Sequence, residues 1–229
     1  MEYLVIIPAR GGSKGIPHKN IKPLNGKPLI HYTIDVARGV AADEDICVST
    51  DDAEIISVVE DYGLKVPFVR PEELATDTAG TYEVLLHALD FYEKQGKHYN
   101  VVLLLQNTSP FRNAVHVKEA MQLFRPDVDM VVSVSQTKTN PYYNCFGEDK
   151  DGFLKKTLDS SNFIRRQDAP ITYEYNGAIY VINAEQLKKM PLGMFTRRVK
   201  YVMDDIHSVD LDNMIDWKFA EFLLKEGLV

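Results

Sequence analysis

Three features of this sequence predict an α/β fold with a mostly parallel sheet and helices on both faces. Short apolar runs rich in β-branched residues recur at 4–7, 46–49, 66–69, 101–105 and 130–134, with amphipathic stretches between them. Parallel strands joined by crossover helices require that alternation. The runs are also apolar nearly throughout, as expected of strands covered on both faces. Finally, a segment rich in Gly, Ser and Lys follows the first run directly, where an open α/β sheet keeps its ligands. The expected arrangement is three-layered and Rossmann-like.

The elements follow in order. Residues 4–7 form the first strand. Leu29, Ile30, Thr33, Val36 and Ala37 share one face of a helix over 29–40, with a stop near Gly39. After the strand at 46–49, Asp51 and Asp52 stand at the start of a helix over 55–62, where an N-cap is the favoured role for Asp52. A third strand at 66–69 precedes a helix over 81–95 with Val84, Leu85, Ala88, Leu89 and Tyr92 on one face. The wholly apolar run 101–105 is a central strand, followed by a helix over 114–124 and a strand at 130–134.

The rhythm breaks at Thr137. Residues 137–175 are polar and carry turn signals at Asn140-Pro141, 149–152 and Ala169-Pro170. They form an insertion that leaves the main sheet. Its aromatic members, among them Tyr142, Tyr143, Phe146, Phe153 and Phe163, are most cheaply buried against a second copy, so a homodimer is expected. The main domain then resumes with a strand at 177–182, a short helix near 184–189, a strand at 199–203 and a helix over 213–226. One domain spanning 1–229, with a dimerisation excursion at about 137–175, accounts for the whole chain.

Composition bounds the function. With 229 residues and a net charge of −7, the chain lacks the broad basic face of a general nucleic-acid binder. Two cysteines, Cys47 and Cys145, fit no metal or redox spacing. No apolar run approaches 18 residues and no leader pattern precedes the first strand, so a soluble, cytoplasmic protein is expected, with no membrane partner. The charges are distributed unevenly. Residues 1–27 carry Arg10, Lys14, Lys19, Lys22 and Lys27 against Glu2, whereas the last 26 residues carry seven acidic groups against two lysines. If these ends meet, they make a site for a metal–polyphosphate complex.

The first half of that site is the loop Arg10-Gly11-Gly12-Ser13-Lys14-Gly15. It matches neither the Walker loop nor the dinucleotide fingerprint, yet its glycines allow close backbone approach and its N–H groups form an anion-binding concavity. The second half is Val209-Asp210-Leu211-Asp212. Alternate residues of an extended segment point to one side, about 7 Å apart, and Mg²⁺ takes a couple of carboxylates plus water and phosphate oxygens. The competing reading is a solvated acidic turn with Asp212 capping the next helix. Gln106, directly after the central strand, either reads a sugar or base or makes a buried hydrogen bond.

These residues resemble the cytidylyltransferases that activate nonulosonic acids, the N-acylneuraminate cytidylyltransferase (CMP-sialic acid synthetase) family. The resemblance rests on Ile7 through Asn20, Val48-Ser49-Thr50-Asp51, Arg70 through Ala79, Leu105 through Arg112, Arg166-Gln167, Asn176 through Tyr180 and Val209 through Asp212. It implies Mg²⁺-dependent transfer of a cytidylyl group from CTP to a nine-carbon sugar acid, with release of pyrophosphate. It also implies roles. Arg10, Lys14 and Lys19 would hold the triphosphate, with Gly11, Gly12, Ser13 and Asn20 supporting the nucleotide. Arg70, Ala79 and Thr81 would recognise cytosine, while Gln106, Arg166, Asn176 and Tyr180 would line the sugar site. Asp210 and Asp212 would hold Mg²⁺ and, with Arg10 and Lys19, carry the catalysis. The excursion corresponds to the family's dimerisation arm. Members specific for N-acetylneuraminate often read Gln-Pro-Thr where this chain has Gln106-Asn107-Thr108, and some carry a lysine near Tyr142-Tyr143. A legionaminic-type or deaminated acid therefore stays open as substrate. Transfer to another sugar acid or sugar phosphate, and nucleotide-sugar binding without turnover, are the alternatives.

Overall fold

The computed structural model describes residues 2–13, 15–158 and 163–229. The apolar runs become strands. Strand β1 (Tyr3–Pro8) is followed by a two-residue ladder of β2 (Pro23–Leu24) and β3 (Lys27–Pro28), then by helix α1 (Leu29–Arg38). Next come β4 (Ile46–Ser49), α2 (Ala53–Asp61), α3 (Thr81–Glu93), β5 (Val101–Leu105), α4 (Ala114–Gln122) and β6 (Met130–Gln136). A small hairpin of β7 (Phe146–Glu148) and β8 (Leu154–Lys156) precedes β9 (Tyr173–Asn183), α5 (Ala184–Lys189), β10 (Arg198–Val202) and α6 (Met214–Lys225).

Six strands form one sheet in the order β10-β6-β9-β5-β1-β4. All run parallel except β9, which is antiparallel to both β5 and β6. The alternation of β1 divides the core between two layers. Val5 and Ile7 pack with Ile30 and Ile34 of α1, Ile55 and Val59 of α2 and Val117 of α4. Leu4 and Ile6 face the other way, toward Leu85 and Leu89 of α3 and Leu187 of α5. A third cluster lies outside these layers. Ile16 and Leu24 of the glycine-rich segment pack with Leu211 and with Trp217, Ala220 and Leu223 of α6. Full burial stabilises each of these larger side chains by about 1.5–3 kcal/mol, so α6 clamps the loop by apolar contact.

Two expectations need correction. Residues 66–69 are not a strand of the sheet; only an isolated bridge joins Thr50 to Val69. Pro67 has no N–H to give to a ladder, and Val69 is exposed. The excursion also ends before residue 175, because Tyr173 to Tyr175 already pair with β6. Among the described residues, no helix is long and apolar enough to cross a membrane.

The reversed strand positions the site. Because β9 enters beside the carboxyl ends of β5 and β6, with Ile179 opposite Leu105 and Tyr175 opposite Val134, its first half flanks Gln106. Gly177 lies there with φ at +74°, a conformation that favours glycine. A Cβ at that position would lie within 3.6 Å of Gln106 Oε1, Ser109 Oγ and Asp210 Oδ2, so these three polar groups converge on it.

Candidate active site

A cleft of about 430 Å³ opens at the carboxyl ends of β1 and β5. Arg10, Ser13, Gly15, Lys19 and Asn20 line one side, Arg70, Ala79, Gly80 and Thr81 another, and Gln106, Asn107, Thr108 and Asp212 the floor. Most of the residues expected to bind nucleotide therefore come together. Gly11 lies at the rim, its N–H donating to Asp51 Oδ1 at 3.1 Å. Gly12 faces open space. Lys14 lies outside the described residues.

The two chain ends do meet. Lys19 Nζ donates to the Leu211 carbonyl at 2.7 Å, and the Leu211 N–H donates to the Thr108 carbonyl at 2.9 Å. A Cβ on Gly15 would stand 2.1 Å from the Asp212 carbonyl oxygen, so no side chain fits between loop and carboxylates. Asp212 does not cap the last helix; Asn213 does, in a reciprocal arrangement with Asp216, which leaves the Asp212 carboxylate free to face the cleft. Asp52, by contrast, is the N-cap of α2.

Charges respond to this crowding. Burial lowers the pKa of Lys19, against the opposing pull of Asp212 and Asp210. Burial raises that of Asp210, and Asp212 pushes the same way, while Thr108 and Lys19 resist. Asp210 Oδ1 is buried and has no hydrogen-bond partner. Arg10 reaches across the cleft mouth, its Nη1 donating to the Thr76 carbonyl at 3.0 Å and its Nη2 pairing with Asp77 at 3.0 Å.

At the far wall, Arg70 is buried and anchored by hydrogen bonds to Ser49 Oγ (3.0 Å) and the Ser49 carbonyl. Beside it, no side-chain hydrogen bond caps α3 at Gly80, so first-turn N–H groups stand at the cleft edge. On the β9 side, Tyr180 sits among apolar neighbours, its hydroxyl pushed up to about 12 chiefly by burial, with Tyr175 and Asp210 adding.

Two of the expected sugar-site residues stand elsewhere. The Asn176 side chain is inside the wall, bonded to Ser133 Oγ at 2.6 Å and Ser208 Oγ at 2.9 Å. Arg166 lies at a separate hollow beside Thr137, donating to its carbonyl at 3.3 Å. Arg112 had no assigned role in the sequence. It is buried behind the turn after β5, and in the sequence it stood only as the last residue of the motif Leu105 through Arg112.

A cationic loop closed on a carboxylate pair at the edge of this sheet defines a nucleotidyltransferase. The comparisons narrow the class: the chain belongs to the cytidylyltransferase family, whose model matches residues 4–218, and is of the CMP-nonulosonate synthetase type. It is 37% identical over 98% of its length to a CMP-N,N'-diacetyllegionaminic acid synthase of Legionella pneumophila, covering 97% of that protein. It is 37% identical over 95% of its length to an N-acylneuraminate cytidylyltransferase of Streptococcus agalactiae, of which the match spans 52%. It is 31% identical to a pseudaminic acid cytidylyltransferase of Campylobacter jejuni, over 98% of this chain and 97% of that one. A CMP:2-keto-3-deoxy-manno-octonic acid synthetase solved with CTP shares the fold, with TM-score 0.69 at 17% identity over 99% of this chain and all of that one.

Proposed function

We propose that the protein transfers CMP from CTP to the anomeric hydroxyl of a nonulosonic acid, releasing pyrophosphate, with Mg²⁺ and as a homodimer. The observation that carries this reading is the closure of the cationic loop on the Asp210–Asp212 segment through Lys19 and Gly15. Arg10 and Lys19 hold the triphosphate there, and Lys14 belongs to the same loop. Arg70, Ala79 and Thr81 read the base from the opposite wall of the cleft.

The donor set fits a magnesium ion. Asp210 Oδ1 is a buried acceptor without a partner, and Asp212 lines the cleft. Magnesium takes a couple of carboxylates and completes its shell with water and phosphate oxygens. When bound, it offsets charge on the transferring phosphate and on the leaving group. The chain does the positioning, which is most of what phosphoryl transfer asks of a protein. One of the two carboxylates, Asp210 or Asp212, would help take the proton of the attacking hydroxyl.

The sugar acid's carboxylate calls for a cation, and Arg166 is our candidate. We place it in the partner's cleft, carried there by the excursion, whose Phe153, Leu154 and Ile164 are exposed in the single chain. A matrix of four nucleoside triphosphates against legionaminic, neuraminic and pseudaminic acids, read by pyrophosphate release, tests the proposal. Turnover with CTP and a nonulosonic acid, and only with divalent metal, is expected. No turnover anywhere in the matrix would refute it.

A further inference from the structure

We infer that Arg112 is a positioning residue for nucleotide binding and transfer, holding the nucleotide loop and the turn after β5 in one fixed geometry. The inference deepens the reading of the cleft given above and rests on it. Arg112 is 2% exposed and lies between β5 and α4. Its hydrogen bonds go to neutral acceptors only: the Gln106 carbonyl at 2.7 Å, the Ser109 carbonyl, and Thr33 Oγ1 at 2.6 Å. Its Nε has no partner. Burying a charge without a paired carboxylate is costly, and apolar side chains of similar volume often replace buried ions with no loss of stability. A requirement other than stability accounts for the guanidinium.

The bonds beyond Thr33 show what it does. Thr33 Oγ1 donates to Asn107 Oδ1 at 3.0 Å, Asn107 Nδ2 donates to Asn20 Oδ1 at 2.8 Å, and Asn20 Nδ2 donates to the Arg10 carbonyl at 2.8 Å. All three relay side chains are buried. The relay has one direction. It starts at a group that can only donate and ends at a carbonyl that can only accept. Arg112 forces the Thr33 hydroxyl to point its proton at Asn107, which sets the orientation of both amides and so the height of the Arg10 backbone. Its other branch grips the two ends of the turn 106–109. Thr108 of that turn holds Leu211, between the two carboxylates. One side chain outside the cleft thus registers the triphosphate loop against the carboxylate pair.

The test uses the full-length protein with Arg112→Met, Arg112→Lys and Thr33→Val, alone and with the Met and Val changes combined. CTP affinity is read by calorimetry, kcat and KM by pyrophosphate release, and stability by thermal unfolding. Arg112→Met is expected to lower kcat/KM for CTP by about ten- to a hundred-fold, the scale for mispositioned reacting groups. CTP affinity should weaken in step, and Arg112→Lys should recover part of both. Thr33→Val should act in the same direction, and the double variant should be little worse than Arg112→Met, because both cut one relay. If Arg112→Met unfolds, the Lys and Val variants carry the comparison. Unchanged CTP affinity and kcat in folded variants, or losses that multiply in the double variant, would overturn the inference. A wild-type protein that binds CTP but activates no nonulosonic acid would defeat the proposed reaction while leaving this inference standing.

Discussion

The two ends of the cleft are built on opposite principles. At the nucleotide end, Lys19 and Arg10 are held by hydrogen bonds to backbone carbonyls of Leu211 and Thr76, and the loop that carries them is clamped by the cluster around Trp217. Positive charge is fixed in place before any ligand arrives, so little reorganisation is left for the moment of reaction. On the β9 side the groups that converge on Gly177 are neutral or negative: Gln106, Ser109 and Asp210. Arg112, behind the turn after β5, is spent on carbonyls and a hydroxyl. Among the described residues, the loop side of the cleft thus carries fixed positive charge, whereas no cation is among the groups that converge on Gly177.

Three substitutions break or sharpen that contrast. The largest effect is expected at the prefixed end. Lys19→Ala should cost about 10²–10³ in kcat, by analogy with removal of one preorganised oxyanion donor, with the melting temperature little changed. A near-normal kcat would mean the fixed charge is not used. Next is the β9 side, where Arg166 of a second copy is proposed to serve. Arg166→Ala should raise KM for the sugar acid about ten- to a hundred-fold, the worth of a hydrogen bond to a charged group at about 1.5–3 kcal/mol, with KM for CTP unaltered. If KM for CTP rises instead, Arg166 serves the nucleotide and the contrast collapses. The smallest effect belongs to the rim. Asp77→Asn releases Arg10 from a half-exposed pair, and exposed pairs contribute at most about 1 kcal/mol. KM for CTP should fall by no more than about five-fold. A rise would show that Asp77 serves to order the 75–80 segment rather than to compete with phosphate.

How far these features were legible in the sequence follows from the kind of signal each carries. Apolar runs such as 101–105 declare buried strands because burial on both faces leaves no room for alternation. Residues 66–69 looked the same, but a single Pro67 removes the donor that a ladder needs. The direction of β9 left no trace, since an apolar strand reads alike whichever way it runs. That direction is what brings Gly177 to Gln106. The opposed charges of the two chain ends were visible as composition, and the closure at Lys19 and Asp212 followed from complementarity. Arg166 and Asn176 share the same motif-level signal as Gln106, yet their surroundings differ completely: one lies at a separate hollow, the other has its side chain bonded within the wall. Arg112 stood within a resembling motif, but its role was not legible, for a simpler reason. A sequence lists an arginine's charge but not the hydrogen bonds that keep it inside.

Lys19 and Leu211 are separated by 192 positions, and this has a consequence for synthesis. Contacts between such distant residues are the ones a chain forms late, because the intervening loop must close first. A ribosome that has made only the first two hundred residues has produced the cationic loop but none of the carboxylates that complete it. Nucleotide transfer therefore draws on residues from both sides of that separation, and its onset during refolding is expected to follow the docking of residues 209–225 on the loop.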